Sequence, residues 1–225
     1  MKKFVLIALG LLMSGLSATA GEKVFALATA GDVDAALAER VRVRLEENAG
    51  VVVRSAGALA VEPGQSLEAI GRAAAKTLGE NDHSVIVLVR PVDEQPQGVC
   101  LPHERFAALN VAKLEVGADA EHVERRAVQE GLRVMSMLLK MAPCPFPLCV
   151  LVGYEKVEDL DQMSGNYCPP CLDRFTRYAR EAGIQTIDPA AAEAAQVAEP
   201  APTAEPAPAA EEAAPAAEAA APAAE

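Results

Sequence analysis

The segment His83–Arg90 (His-Ser-Val-Ile-Val-Leu-Val-Arg) carries five apolar residues in a row and is closed by Pro91. A run of this kind lacks the polar alternation of a strand that faces water on one side. It reads as a strand covered on both faces, which places it inside a parallel sheet flanked by helices. The residues before it supply the rest of such a unit. Lys23–Thr29 reads as a strand and Val51–Arg54 as a short β-branched one. Between them Asp32–Asn48 has apolar residues at helical spacing behind an aspartate. A second helix starts at Ser66 after the turn Pro63-Gly64, with Glu68 in its first turn, and runs to about Leu78. The order is βαβαβ, which calls for parallel strands joined by helical crossovers.

The pattern then changes. Gly98–Leu101 and about Ala107–Leu114 are two further short strands with no helix between them, so an antiparallel edge or hairpin is expected. A long helix is expected over Asp119–Met141. Val128, Leu132, Met135 and Leu139 form its apolar stripe, which Val134, Leu138 and Met141 widen, so most of its circumference should be covered. A Pro- and Cys-rich loop, a short apolar piece Val150–Val152, a polar stretch and a closing helix Leu172–Ala182 complete the chain. The expected class is α/β (α+β): a mixed, mainly parallel sheet, a long central helix and a small Cys-rich C-terminal part at about 143–182.

Both ends of the chain differ from this middle. Lys2 and Lys3 precede the apolar run Phe4–Leu12, and Ala18-Thr19-Ala20 offers small residues for cleavage before Gly21. Residues 1–20 therefore read as an export signal, too short to span a bilayer, and the protein is expected in the periplasm or outside the cell. Residues 188–225 are almost entirely Ala, Pro and Glu. With no aromatic residue and one branched aliphatic, Val197, they read as a disordered acidic tail. The net charge is −12, of which −6 falls on the domain, 21–187. An acidic domain with an acidic tail disfavours nucleic acid as a partner, and no membrane span is expected after signal cleavage.

Cys144-x4-Cys149 is followed 18 residues later by Cys168-x2-Cys171. Two close cysteine pairs can surround one tetrahedral zinc, and Pro143, Pro145, Pro147, Pro169 and Pro170 stiffen the turns that carry them. Export leaves two disulfides open as an alternative. A redox pair at Cys168 and Cys171 also remains open, because Cys168 precedes a helix. Cys100, within a strand, reads as a small buried hydrophobe.

A long helix ending just before the first cysteine, followed by this spacing, resembles the archaemetzincins, zinc metallopeptidases of the metzincin clan. The resemblance spans roughly Lys23 to Ala182. It implies the metzincin fold, a four-cysteine zinc site at Cys144, Cys149, Cys168 and Cys171, and Leu151 at the position of the clan's Met-turn methionine. It also locates where a catalytic zinc would be held. Counting back from Cys144, the family's three histidine ligands fall at Arg133, Met137 and Pro143, its glutamate base at Val134 and its glycine at Lys140. None matches, and no histidine follows His122. Arginine is a permanent cation, proline offers no ligand atom, and valine cannot take a proton from water. No catalytic residue is carried over. The apolar Val134, Met135 and Met137 are expected to fill the cleft wall.

The expected function is that of an exported, proteolytically inactive archaemetzincin-like protein with a structural zinc. It would serve as a binding or scaffold module for an unidentified protein or peptide. A metallopeptidase with a replacement metal site on His103, Glu104 and His122 is the enzymatic rival, and a disulfide-stabilised or thiol-redox protein is the other. Glu121, Glu124 and Glu130, with Arg125 and Arg126, read as the solvated face of the long helix.

Overall fold

The structure is a computed structural model and describes residues 23–187. Residues 1–20, read as an export signal, and residues 188–225, read as an acidic tail, lie outside the described residues. The sheet is built from β1 (Val24–Ala30), β2 (Val53–Leu59), β3 (Asp82–Val89), β4 (Gly98–Leu101) and β5 (Phe106–Asn110), in the order β2-β1-β3-β5-β4. Every pairing is parallel except β4 on β5, so the antiparallel edge lies where the sequence placed it. The helices are α1 (Ala35–Ala49), α2 (Leu67–Ala75), α3 (Val111–Leu114), α4 (Ala120–Leu138) and α5 (Pro169–Glu181).

Residues alternate between the two faces of the sheet as its pleat requires. Phe25, Leu27, Ile86, Leu88, Ala107 and Leu109 point to the core shared with α1, α4 and α5. Ala26, Ala28, Val85, Val87, Phe106 and Ala108 point to the smaller core under α2. Both helical layers sit close because a side chain is missing at each crossing. A Cβ at Gly71 of α2 would lie 2.1 Å from the Phe106 ring, and one at Gly131 of α4 would lie 2.7 Å from Leu45 of α1.

Several boundaries differ from the sequence reading. Asp34, not Asp32, caps α1, accepting from the backbone of Ala36 and Leu37. Ser66 caps α2, and Asp119, read as the first residue of the long helix, caps α4, which ends at Leu138 rather than Met141. β2 extends to Leu59 through Gly57, held at φ 80°, although Ser-Ala-Gly-Ala favours no strand. Its parallel pairing with β1 supplies the hydrogen bonds, and a bulge opposite Ala28 absorbs the misfit. The expected strand Ala107–Leu114 stops at Asn110, and Val111–Leu114 forms one helical turn. Its partner β3 ends at Val89, opposite Asn110, so no ladder continues beyond that point. α5 begins at Pro169, three residues before the expected Leu172, because prolines at the first helical positions lose no hydrogen bond.

The largest misreading lies on α4. Arg126 is not on a solvated face: it is 1% exposed. Its guanidinium grips Asp161 through two bonds of 2.9 and 2.6 Å and donates to the carbonyls of Leu114 and Val116. Glu130 is buried as well, beside Arg133. Arg125 and Glu121 remain exposed, and Glu124 pairs with Arg40.

Candidate metal centre and the neighbouring cleft

The four cysteines arrive from two turns and one helix end. Cys144 and Cys149 bound a short loop closed by the Cys144 N–H on the Leu151 carbonyl and the Val152 N–H on the Cys149 carbonyl. Cys168 is the N-cap residue of α5, and Cys171 lies in its first turn, with its N–H on the Cys168 carbonyl. Tyr167, just before the second pair, ties this part to α4. Its hydroxyl donates to the Leu132 carbonyl at 2.8 Å and lies 3.0 Å from Ser136 Oγ, while its ring stacks on Phe175.

All four thiols are free and buried, with their sulfurs within 4.8 Å of one another. Cys144 and Cys168 Sγ are 3.9 Å apart. Tetrahedral zinc with Zn–S near 2.3 Å sets sulfurs about 3.8 Å apart, whereas a disulfide needs about 2.05 Å. Donor type, number and spacing thus fit zinc. Outer contacts support charged sulfur: the Phe146 N–H points at Cys144, the Cys168 N–H at Cys149 and Arg174 Nη2 at Cys171. Burial pushes the Cys149 thiol up and the Cys171 thiol to about 12, Arg174 pulling the latter partly back. At Cys168 burial also pushes upward, and hydrogen bonds from Cys171, Cys149 and Cys144 together outweigh it, so that thiol is lowered.

Among the described residues no other group of His, Cys, Asp and Glu converges on a metal-sized site. His103 pairs with Glu104 on an exposed turn, Glu104 also pairs with Arg72, and His122 bonds to Asp119. His103, Glu104 and His122 are not brought together. Cys100 is half-buried in β4, and burial raises its thiol to about 11. His83 lies against the edge of Phe25, with Nδ1 2.9 Å from Ser84 Oγ. Burial, then the charges of Lys23 and Arg105, lowers its pKa to about 4. The unfolded chain therefore binds this proton first as pH falls below about 6.5, and stability is lost between about 6.5 and 4. Allowing for water at its partly exposed edge, the loss is on the order of 1–2 kcal/mol. Urea unfolding at pH 7.5 and 4.5 should show a smaller drop for His83→Gln than for the parent chain.

Beside the cysteine cluster is a half-open cleft of about 430 Å³, and the positions singled out in sequence line it: Arg133, Met137, Lys140, Pro143 and Leu151. The expected filled wall is not what forms. Val134 and Met135 turn into the core, Met137 is 47% exposed, and the cleft stays open. Arg133 crosses its base. Its Nη1 donates to the carbonyls of Val150 and Val152, on either side of Leu151, at 2.6 Å each. Its Nε lies 3.1 Å from Glu130 Oε1, and the guanidinium stacks over Tyr154. Burial raises the Glu130 carboxyl against the pull of Arg133 and Tyr154, and Gln97 hydrogen-bonds the Tyr154 hydroxyl. This arginine clamps α4 to the loop that carries Leu151. Sequence reasoning saw only a lost ligand there.

No family model and no curated protein sequence matches the chain. Solved structures do. An archaemetzincin from Methanopyrus kandleri superposes with a TM-score of 0.57 at 20% identity, covering 71% of this chain and 97% of its own. The fold is that of the archaemetzincins. A zinc-dependent peptidase from Methanocorpusculum labreanum gives 0.57 at 15% identity, covering 67% and 99%. An archaemetzincin from Archaeoglobus fulgidus complexed with malonate gives 0.52 at 18%, covering 67% and 99%.

The turn that follows α4 places a lysine in a left-handed conformation. Lys140 takes φ 60°, its N–H bonds the Met137 carbonyl, and the Met141 N–H reaches back to the Ser136 carbonyl. This is the left-handed helix ending that glycine occupies at little cost. Lys140→Gly should stabilise the fold by about 1 kcal/mol. A rise in Tm of roughly 3 °C would show it, and an unchanged or lower Tm would refute it.

Proposed function

We propose that the protein is an exported, proteolytically inactive relative of the archaemetzincins that binds a protein or peptide partner, with its C-terminal part held by one zinc. Cys144, Cys149, Cys168 and Cys171 would hold the metal, which supplies a structural cross-link there. The observation that carries the inactive reading is Arg133. The first of the family's three histidine positions holds a cation whose Nη1 donates to the Val150 and Val152 carbonyls and whose Nε pairs with Glu130. A second cation at that place repels a divalent metal, and Val134 and Pro143 offer neither base nor ligand. Around that clamp the cleft keeps apolar walls and stays open to solvent, the shape of a binding site.

The test is to weigh the purified protein by native and then denaturing mass spectrometry and to assay peptide hydrolysis with and without chelator. One zinc, five free thiols and no hydrolysis are expected. Chelator-sensitive hydrolysis would overturn the inactive reading. A metal-free protein lighter by four hydrogens would replace zinc with two disulfides.

A further inference from the structure

The charges around the cleft are unusual for this chain. The protein carries 32 acidic against 20 basic side chains, yet the cleft is lined by two cations and no carboxylate. Lys140 stands on the rim and makes no ion pair among the described residues. Arg133 is held in place by its two Nη1 hydrogen bonds and by an ion pair from Nε to buried Glu130 behind it, and its Nη2 donates to no group among the described residues. The remaining walls are Pro102, Met137, Pro143, Leu151 and their neighbours, almost wholly apolar. Apolar walls with a fixed guanidinium at the base and an exposed ammonium on the rim suit a ligand with an apolar body and one carboxylate.

We infer that the cleft binds the C-terminal residue of a peptide, with an apolar side chain in the cleft and the terminal carboxylate between Lys140 and Arg133; this rests on the cleft being non-catalytic. The edge strand points to a peptide over a simple acid. β4 has a neighbour on one side only, and its free edge of backbone N–H and C=O groups runs to Pro102, which lines the cleft. Main-chain groups next to the pocket can bond a peptide backbone, and a free acid has none to offer. An aspartate or glutamate inside a peptide fits less well, because it brings two flanking polar peptide groups against apolar walls. A cleft of about 430 Å³ is of a size to bury a residue or two at the end of a chain.

Fluorescein-labelled Gly-Ser-Ala-Ala-Val-Leu, as the free acid and as the C-terminal amide, is titrated with the purified protein by fluorescence anisotropy. The acid should bind at least tenfold more tightly than the amide, and less tightly at high salt. Lys140→Gly should abolish the preference without lowering Tm, so misfolding cannot explain the loss, and Lys140→Arg should keep it. N-acetyl-leucine should compete only at much higher concentration than the unlabelled hexapeptide. Equal binding of acid and amide, no binding of either, or a preference that survives in Lys140→Gly would each overturn the inference. Equal competition by N-acetyl-leucine would replace the peptide with a free apolar acid. Mass spectrometry of the same samples separates the two claims: a cleaved hexapeptide defeats the inactive reading and leaves the acid–amide comparison standing.

Discussion

Stripping zinc from the protein with a strong chelator should melt residues 143–182 first and lower the overall unfolding free energy by several kcal/mol. Structural zinc on four thiolates contributes an apparent ~10–16 kcal/mol of binding in small peptides, as much as the whole stability of an ordinary domain. Apart from the arginine clamps from α4 and the Tyr167 hydroxyl, few contacts hold this segment. Pro143 and the residues Pro145–Leu148 are exposed, and between Val152 and Asn166 only Leu160 is fully buried. The four cysteines instead form the inner layer of this part, continuous with Tyr167, Phe175 and the core below. With the metal gone, four sulfurs within 4.8 Å of one another would have to be mostly protonated to coexist, because the few N–H groups and Arg174 that face them offset only part of their desolvation. Cys168→Ser should act in the same direction. Hydrogen exchange by mass spectrometry with and without chelator should show lost protection over 143–182 while β1, β3 and β5 keep theirs. Identical exchange and Tm in both states would sink the structural-zinc assignment.

Arg126→Ala should cost about 3 kcal/mol, read as a Tm lower by roughly 6–12 °C. The side chain is sealed between α4, α3 and the 3₁₀ turn Val157–Gln162. Removing it leaves the Leu114 and Val116 carbonyls and one side of Asp161 without their donor, and leaves a cavity the length of the side chain. Asp161 is 21% exposed and can regain water, which keeps the cost at the lower end for a broken buried pair. Arg126→Met fills the space without the charge, so its loss relative to Ala isolates the hydrogen bonds from the cavity. A loss below 1 kcal/mol in both variants would show that the clamp contributes nothing net. The substitution lies away from the cysteines and should leave zinc content unchanged.

The sequence alone determined the architecture and the set of four cysteines that the fold brings together. An unbroken apolar strand can be buried only in the middle of a covered sheet, so Ser84–Val89 implied the helices on either side of it. Four cysteines in two close pairs are legible because ligand spacing is a local property, set by tight turns and one helix start. The residues at the positions that the resemblance assigns to catalytic ligands were legible for the same reason: those positions are counted back along the chain from Cys144. Tertiary structure decided the rest. Arg126 and Glu130 carry charges, and a helical wheel assigns charge to solvent; only the neighbours across space, Asp161 for the one and Arg133 for the other, make burial possible. Val111–Leu114 has strand-like composition but turns helical because β3 ends and leaves it no partner. Val134 and Met137, three residues apart, face the core and the cleft respectively. That choice is set by where the loop of Leu151 packs, and Arg133 fixes that loop through two carbonyls nearly twenty residues away, a contact no local pattern encodes.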